Sequence, residues 1–172
     1  MIKKLSFILF LLPLLPAYSQ PDINQLRTGF FTLAKDSCAV KALFESIKSE
    51  TYTSPVIQAY AGATEAASAQ CIKGAFKKLE YFSRGKKNLE AAKNQDPKNA
   101  EIRFVRFATQ CNAPNFLEYD NINEDKTLIL EQLPNLLQQD SDNDFWLNVA
   151  EFLLASEKLT KDERATLKEM IK

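Results

Sequence analysis

The stretch DPKNAEIRFVRF, residues 96–107, decides how this chain is read. It follows a long lysine-rich run, stops it at Asp96-Pro97, and restarts a helical pattern within three residues. Proline has no N–H for the helical ladder and disfavours helical geometry in the residue before it, so a helix ends here. Asn99 is suited to cap the next helix, which reaches Asn112 before Pro114 closes the pattern. Two helices joined by so short a link must fold back and lie side by side.

Working outward, the same logic applies along the chain. There are only four glycines, apolar residues recur three and four apart almost throughout, and no window alternates as a strand would. The fold class is therefore all-α. Asp22 caps a first helix to about Ala34, and Asp36 or Ser37 starts a second to about Ser49. Ser54-Pro55 opens an alanine-rich third helix through about Cys71. After a break at Lys73-Gly74, a long fourth helix runs to about Gln95, with Leu79, Phe82, Gly85, Leu89 and Ala92 along one stripe. Asn123 is read as the cap of a sixth helix, with Glu124 and Asp125 favouring its dipole and Pro134 bending or interrupting it. Ser141 and Asp144 form a capping-box pattern before a seventh helix that is apolar around its axis and expected to be the most buried. Thr160 and Glu163 open the eighth, with Leu167, Met170 and Ile171 on its apolar stripe. Short turns pair these helices antiparallel: first with second, third with fourth, fifth with sixth, seventh with eighth.

The amino terminus reads differently from this body. Lys3 and Lys4 precede an apolar run from Leu5 to Leu15 that ends in Pro16-Ala17-Tyr18-Ser19, the pattern of a secretory signal peptide over residues 1–19. The run falls short of the about 20 apolar residues a membrane span needs. Residues 20–172 then form one helical domain, periplasmic or extracellular, with no membrane span. Without Lys3 and Lys4 the net charge moves from 0 to −2, which implies no nucleic-acid partner. Cys38, Cys71 and Cys111 cannot all pair within one chain, so one thiol stays free or links to another molecule, and all three can equally serve as unbonded core residues.

With the helices paired, residues 72–104 resemble a joint between two tetratricopeptide-type repeats, a family whose repeat is about 34 residues with a proline after its second helix. Ile72, Phe76, Phe82, Gly85, Leu89, Ala92 and Pro97 fall at that family's large, large, aromatic, small, large, small and proline positions, while Lys73 and Ala69 depart from its pattern. The resemblance implies a short α-α superhelix that binds a protein or peptide. Its register places the turn between the third and fourth helices near Leu79-Glu80, whereas the local glycine places it at Lys73-Gly74. The chain is also similar to small exported bacterial proteins of unassigned activity, through GKKNLEAA, DPKNAEIRFVRF and NFLEYDNI.

Candidate sites are few. Asn99, Arg103, Arg106 and Gln110 share one face of the fifth helix, where two guanidiniums can grip a carboxylate of a partner or pair internally with Glu101, Glu118, Asp120 or Asp125. Phe116, Leu117 and Tyr119 lie on the following loop, either as an exposed contact surface or as a seal between helices. Residues 140–151 carry acids at four positions of a calcium loop, but Phe145 stands where glycine is required and helix capping explains the acids. Lys73–Lys93 holds seven bases and two acids, and Glu118–Glu151 nine acids and Lys126, which allows weak self-association or simply two solvated faces.

With no histidine, the usual triad, zinc and imidazole-base chemistries have no anchor. No cofactor is expected. The reading is an exported, non-enzymatic interaction module with Arg103, Arg106, Gln110, Phe116 and Tyr119 as partner-binding residues. The alternative is a carrier holding a small apolar ligand between the third, fifth and seventh helices.

Overall fold

A computed structural model describes residues 22–33, 38–49, 51–52, 54–139 and 143–172. Among them are eight α-helices and no strand: α1 (Ile23–Leu33), α2 (Val40–Ile47), α3 (Pro55–Ser68), α4 (Ala75–Gln95), α5 (Ala100–Asn112), α6 (Ile122–Gln139), α7 (Asn143–Ala155) and α8 (Lys161–Met170). Short 3-10 turns follow α3 at Ala69–Cys71 and precede α6 at Asn115–Leu117. No described helix is long and apolar enough to cross a membrane. The signal-peptide residues and the proposed caps Asp36, Ser37 and Ser141 lie outside the described residues.

The helix starts follow from local chemistry. Asp22 Oδ1 accepts from the Asn24 N–H at 3.0 Å, and Pro55 occupies the first turn of α3, where no N–H is needed. Asn99 Oδ1 accepts from the amides of Glu101 and Ile102 at 3.1 and 3.2 Å. Thr160 and Glu163 form the complete reciprocal capping box. The turn between α3 and α4 falls at the glycine: Gly74 has φ +92°, a conformation that L side chains rarely adopt. The repeat register's alternative near Leu79-Glu80 lies inside continuous helix.

Other details depart from the sequence reading. Helix α2 ends at Ile47. Helix α6 already begins at Ile122, so Asn123 sits within its first turn, and the helix continues through Pro134. The deepest helix is α5, not α7: ten of its residues are buried, Arg103 and Arg106 among them. It packs against α3, α4 and α6, while α7 leaves Asn143, Asp144, Asn148 and Glu151 exposed.

Helix α3 is the hub, in contact with α1, α2, α4 and α5. Against α4 it runs antiparallel, since Gln58 meets Gln95 and Glu65 meets Arg84. The two backbones touch at Gly62 and Gly85. A Cβ on Gly85 would stand 2.4 Å from the Gly62 carbonyl oxygen and 2.5 Å from the Ala66 nitrogen. Helices α5 and α6 are also antiparallel, with Gln132 donating to the Lys98 carbonyl and Gln110 to Asp125. A disulfide joins Cys38, before α2, to Cys71, after α3, and Cys111 is free.

The core is one contiguous cluster centred on α3 and α5, with Phe30, Phe31, Phe104, Phe107, Phe145 and Phe152 meeting mostly edge to face. Such geometry sets the electropositive ring edge against the electronegative face.

Candidate binding site

The arginine face of α5 is turned inward. Arg103 donates from Nη1 to Glu124 Oε1 at 2.7 Å and Asp125 Oδ1 at 2.9 Å, and from Nε to the Pro97 carbonyl at 2.9 Å. Arg106 donates to Asp125 Oδ1 and to Glu90 Oε1, both at 2.7 Å. Gln110 Nε2 reaches Asp125 Oδ2 at 2.6 Å, and the Tyr119 hydroxyl donates to Glu90 at 2.8 Å. The cluster therefore stitches α4, α5, α6, the 96–99 turn and the 113–121 loop together.

Its electrostatics follow from desolvation set against pairing. Burial alone would lower the pKa values of Arg103 and Arg106, but the facing carboxylates outweigh it and hold both above the ordinary guanidinium value. Burial pushes Asp125 up against the pull of two guanidiniums, and pushes Tyr119 up with help from Glu90. The Arg103 hydrogen bond draws Glu124 down.

Of the carboxylates considered from sequence, only Asp125 meets this arginine pair. Glu101 instead receives a two-pronged contact from Arg27 on α1, at 2.9 and 2.8 Å, and the Tyr60 hydroxyl at 2.8 Å. Glu90 and Glu124 were not among them, because only the docking of α4 and α6 brings them to α5. The basic and acidic stretches also meet inside the molecule, at Lys93 with Glu124.

The loop aromatics divide. Tyr119 is buried, Leu117 is half-buried, and Phe116 is 81% exposed. Phe116 borders an open cavity of about 650 Å³ that the sequence located only by its helices. The third, fifth and seventh helices do contribute walls, through Ala63, Ala66 and Ala67 of α3, Ala108, Thr109 and Asn112 of α5, and Phe152 of α7. Helix α1 adds Phe30 and Phe31, and α4 adds Ala75, Lys78, Leu79 and Phe82. Burial grades across it: Ala63, Ala66, Phe82 and Ala108 form a buried floor, while Gln70, Lys78, Leu79, Asn112 and Phe116 form an exposed rim.

The cavity exists because α3 presents alanines toward it and the start of α4 stands off the body. Residues 73–80 are all exposed, whereas Phe82, Gly85, Leu89 and Ala92 pack down. Phe76, which the repeat register puts at a large position, is 92% exposed. The large apolar side chains exposed among the described residues are Phe76, Leu79, Phe116 and Met170, and Leu79 and Phe116 line this opening with Phe76 one turn before Leu79.

No metal-holding group of His, Cys, Asp or Glu occurs among the described residues. Glu151 stands on α7 itself, and residues 140–142 lie outside the described residues. The free thiol of Cys111 is pushed up to about 11 by burial, which keeps it protonated and weakly nucleophilic at neutral pH. Comparison with protein-family models, with curated proteins and with solved structures finds no match to this chain.

Proposed function

We propose that this chain is an exported, non-enzymatic carrier of a small apolar ligand, held in the cavity between α3, α4 and α5. The observation carrying the reading is the cavity itself: its volume lies in the range of small-molecule sites, roughly 300–1,000 Å³, and its floor is alanine and phenylalanine. The arginine face supports it indirectly, since its donors are committed to internal carboxylates and hold the α4–α5–α6 frame around the opening. The Cys38–Cys71 bond fits an oxidising compartment and agrees with the signal-peptide pattern.

A second reading is favoured by the exposed Phe76, Leu79 and Phe116: the same opening receives apolar side chains of a protein partner, as a tetratricopeptide-like module would. Mass spectrometry of the purified protein, first native and then denatured, separates the two. The carrier should bring a small compound that is released on unfolding, take up the apolar dye Nile red, and lose both on Ala67→Trp with its helical circular dichroism unchanged. A bare mass together with no dye uptake would overturn the carrier.

A further inference from the structure

We infer that the ligand is an anionic amphiphile, a hydrocarbon chain whose carboxylate or phosphate head sits at the mouth beside Lys78; this rests on the carrier reading above. The cavity has two chemically distinct ends. Its floor offers only apolar surface, which accepts a flexible chain without demanding any hydrogen bond. At the rim, Lys78 is the single charged residue of the lining, and no carboxylate lines the cavity at all.

The polar rim groups on α5 are already occupied, because the Thr109 hydroxyl donates to Val105 and the Asn112 amide to Ala108 on their own helix. Among the described residues no carboxylate pairs with Lys78. Its ammonium is thus the charged rim donor available to a ligand, with the Gln70 amide as a neutral one.

The surroundings of Lys78 reinforce the sign of the charge. Lys73 and Lys77 flank it, and the Lys73–Lys93 stretch carries seven bases against two acids. Ala75, the first residue of α4, lines the cavity. That 21-residue helix has no acidic residue in its first turn and no side-chain cap at Gly74. The positive end of the helix dipole therefore adds to the lysines instead of being offset. A cationic head would meet repulsion from each of these groups, a neutral head would leave them unanswered, and an anion answers all of them.

The test uses the mature chain loaded with Nile red and displaced by dodecanoate or dodecylammonium, which share one tail and differ in head charge. Dodecanoate should bind more tightly, and Lys78→Ala should weaken it roughly two- to fivefold, the range of an exposed ion pair, with little change for a neutral competitor, dodecanol. Lys78→Glu should narrow or invert the ratio of the two affinities. Equal affinity for both heads, unmoved by either substitution, would overturn the anionic head while leaving the carrier intact. Failure of every chain and of the dye to bind would overturn both. Incubation with phosphatidylglycerol vesicles, followed by separation and mass spectrometry, identifies the source: recovered phospholipid assigns a lipid head phosphate, and its absence with dodecanoate bound assigns a free fatty acid.

Discussion

Asp125 is the residue on which most of the interior polarity converges. Its side chain is fully buried and accepts from Arg103, Arg106 and Gln110, while the other amide atom of Gln110, Oε1, has no partner among the described residues. Such a cluster is not itself a large source of stability, because taking three charges out of water is costly. Breaking it is another matter. Asp125→Ala would take from Arg103 and Arg106 the fully buried carboxylate they share, leaving them the more exposed Glu124 and Glu90, and we expect a loss of about 3 kcal/mol, the lower end for breaking a buried pair, measured as a shift in the urea midpoint. A variant within 1 kcal/mol (roughly a surface-pair effect) would show that water already reaches the arginines. The sequence disclosed the shared face of Arg103, Arg106 and Gln110 because helical periodicity is local. It did not disclose that the face points inward, since that depends on where α4 and α6 place Glu90, Glu124 and Asp125.

At the level of elements, the α3–α4 crossing is set by two glycines used for close approach and not for an unusual φ. Gly62 and Gly85 let the two backbones touch, which positions the stripe of Phe82, Leu89 and Ala92 into the core and leaves the start of α4 raised over the cavity. Gly85→Ala should gain about 1 kcal/mol in helix propensity. It should lose more to the clash with the Gly62 carbonyl and Ala66, giving a net loss of about 1–2 kcal/mol in chemical denaturation. A net gain in stability would mean that the helices slide apart without penalty. The stripe containing Gly85 was visible in the sequence, and so were the caps at Asp22, Asn99 and Thr160. The partner glycine on α3 was not, because nothing local distinguishes Gly62 from the small residues around it. The relative depth of α5 and α7 escaped for a related reason: α7 is the more apolar string, but α5 lies between more neighbours, and burial follows neighbours.

For the molecule as a whole, the Cys38–Cys71 bond links residues 33 positions apart and ties the start of α2 to the end of α3, next to the cavity rim. Closing a loop of that length restricts the unfolded chain by about 3–4 kcal/mol on the chain-entropy model. Reduction should therefore lower the denaturation midpoint accordingly. Thiol counting should find one reactive cysteine per unreduced chain in denaturant, with Cys111 slow to alkylate in the folded state at neutral pH. Three titratable thiols before reduction would contradict this pairing. The sequence narrowed the cysteines to one thiol left over or none bonded, and it took the approach of α2 to the end of α3 to select the pair.

Sequence alone determined what depends on neighbours within a few residues: the all-α class, the break at Gly74, the stop at Pro97, the caps at Asp22, Asn99 and Thr160, and the shared face of Arg103, Arg106 and Gln110. Backbone geometry and hydrogen bonding act at that range, so the pattern is written where it operates. Tertiary structure decided everything that needs two distant segments at once: which carboxylates meet the arginines, which cysteines pair, how closely α3 and α4 approach, and the opening beneath the raised end of α4. A cavity is made by the surfaces around it, and its walls here come from five helices spread between Phe30 and Phe152. No single stretch of the chain contains it.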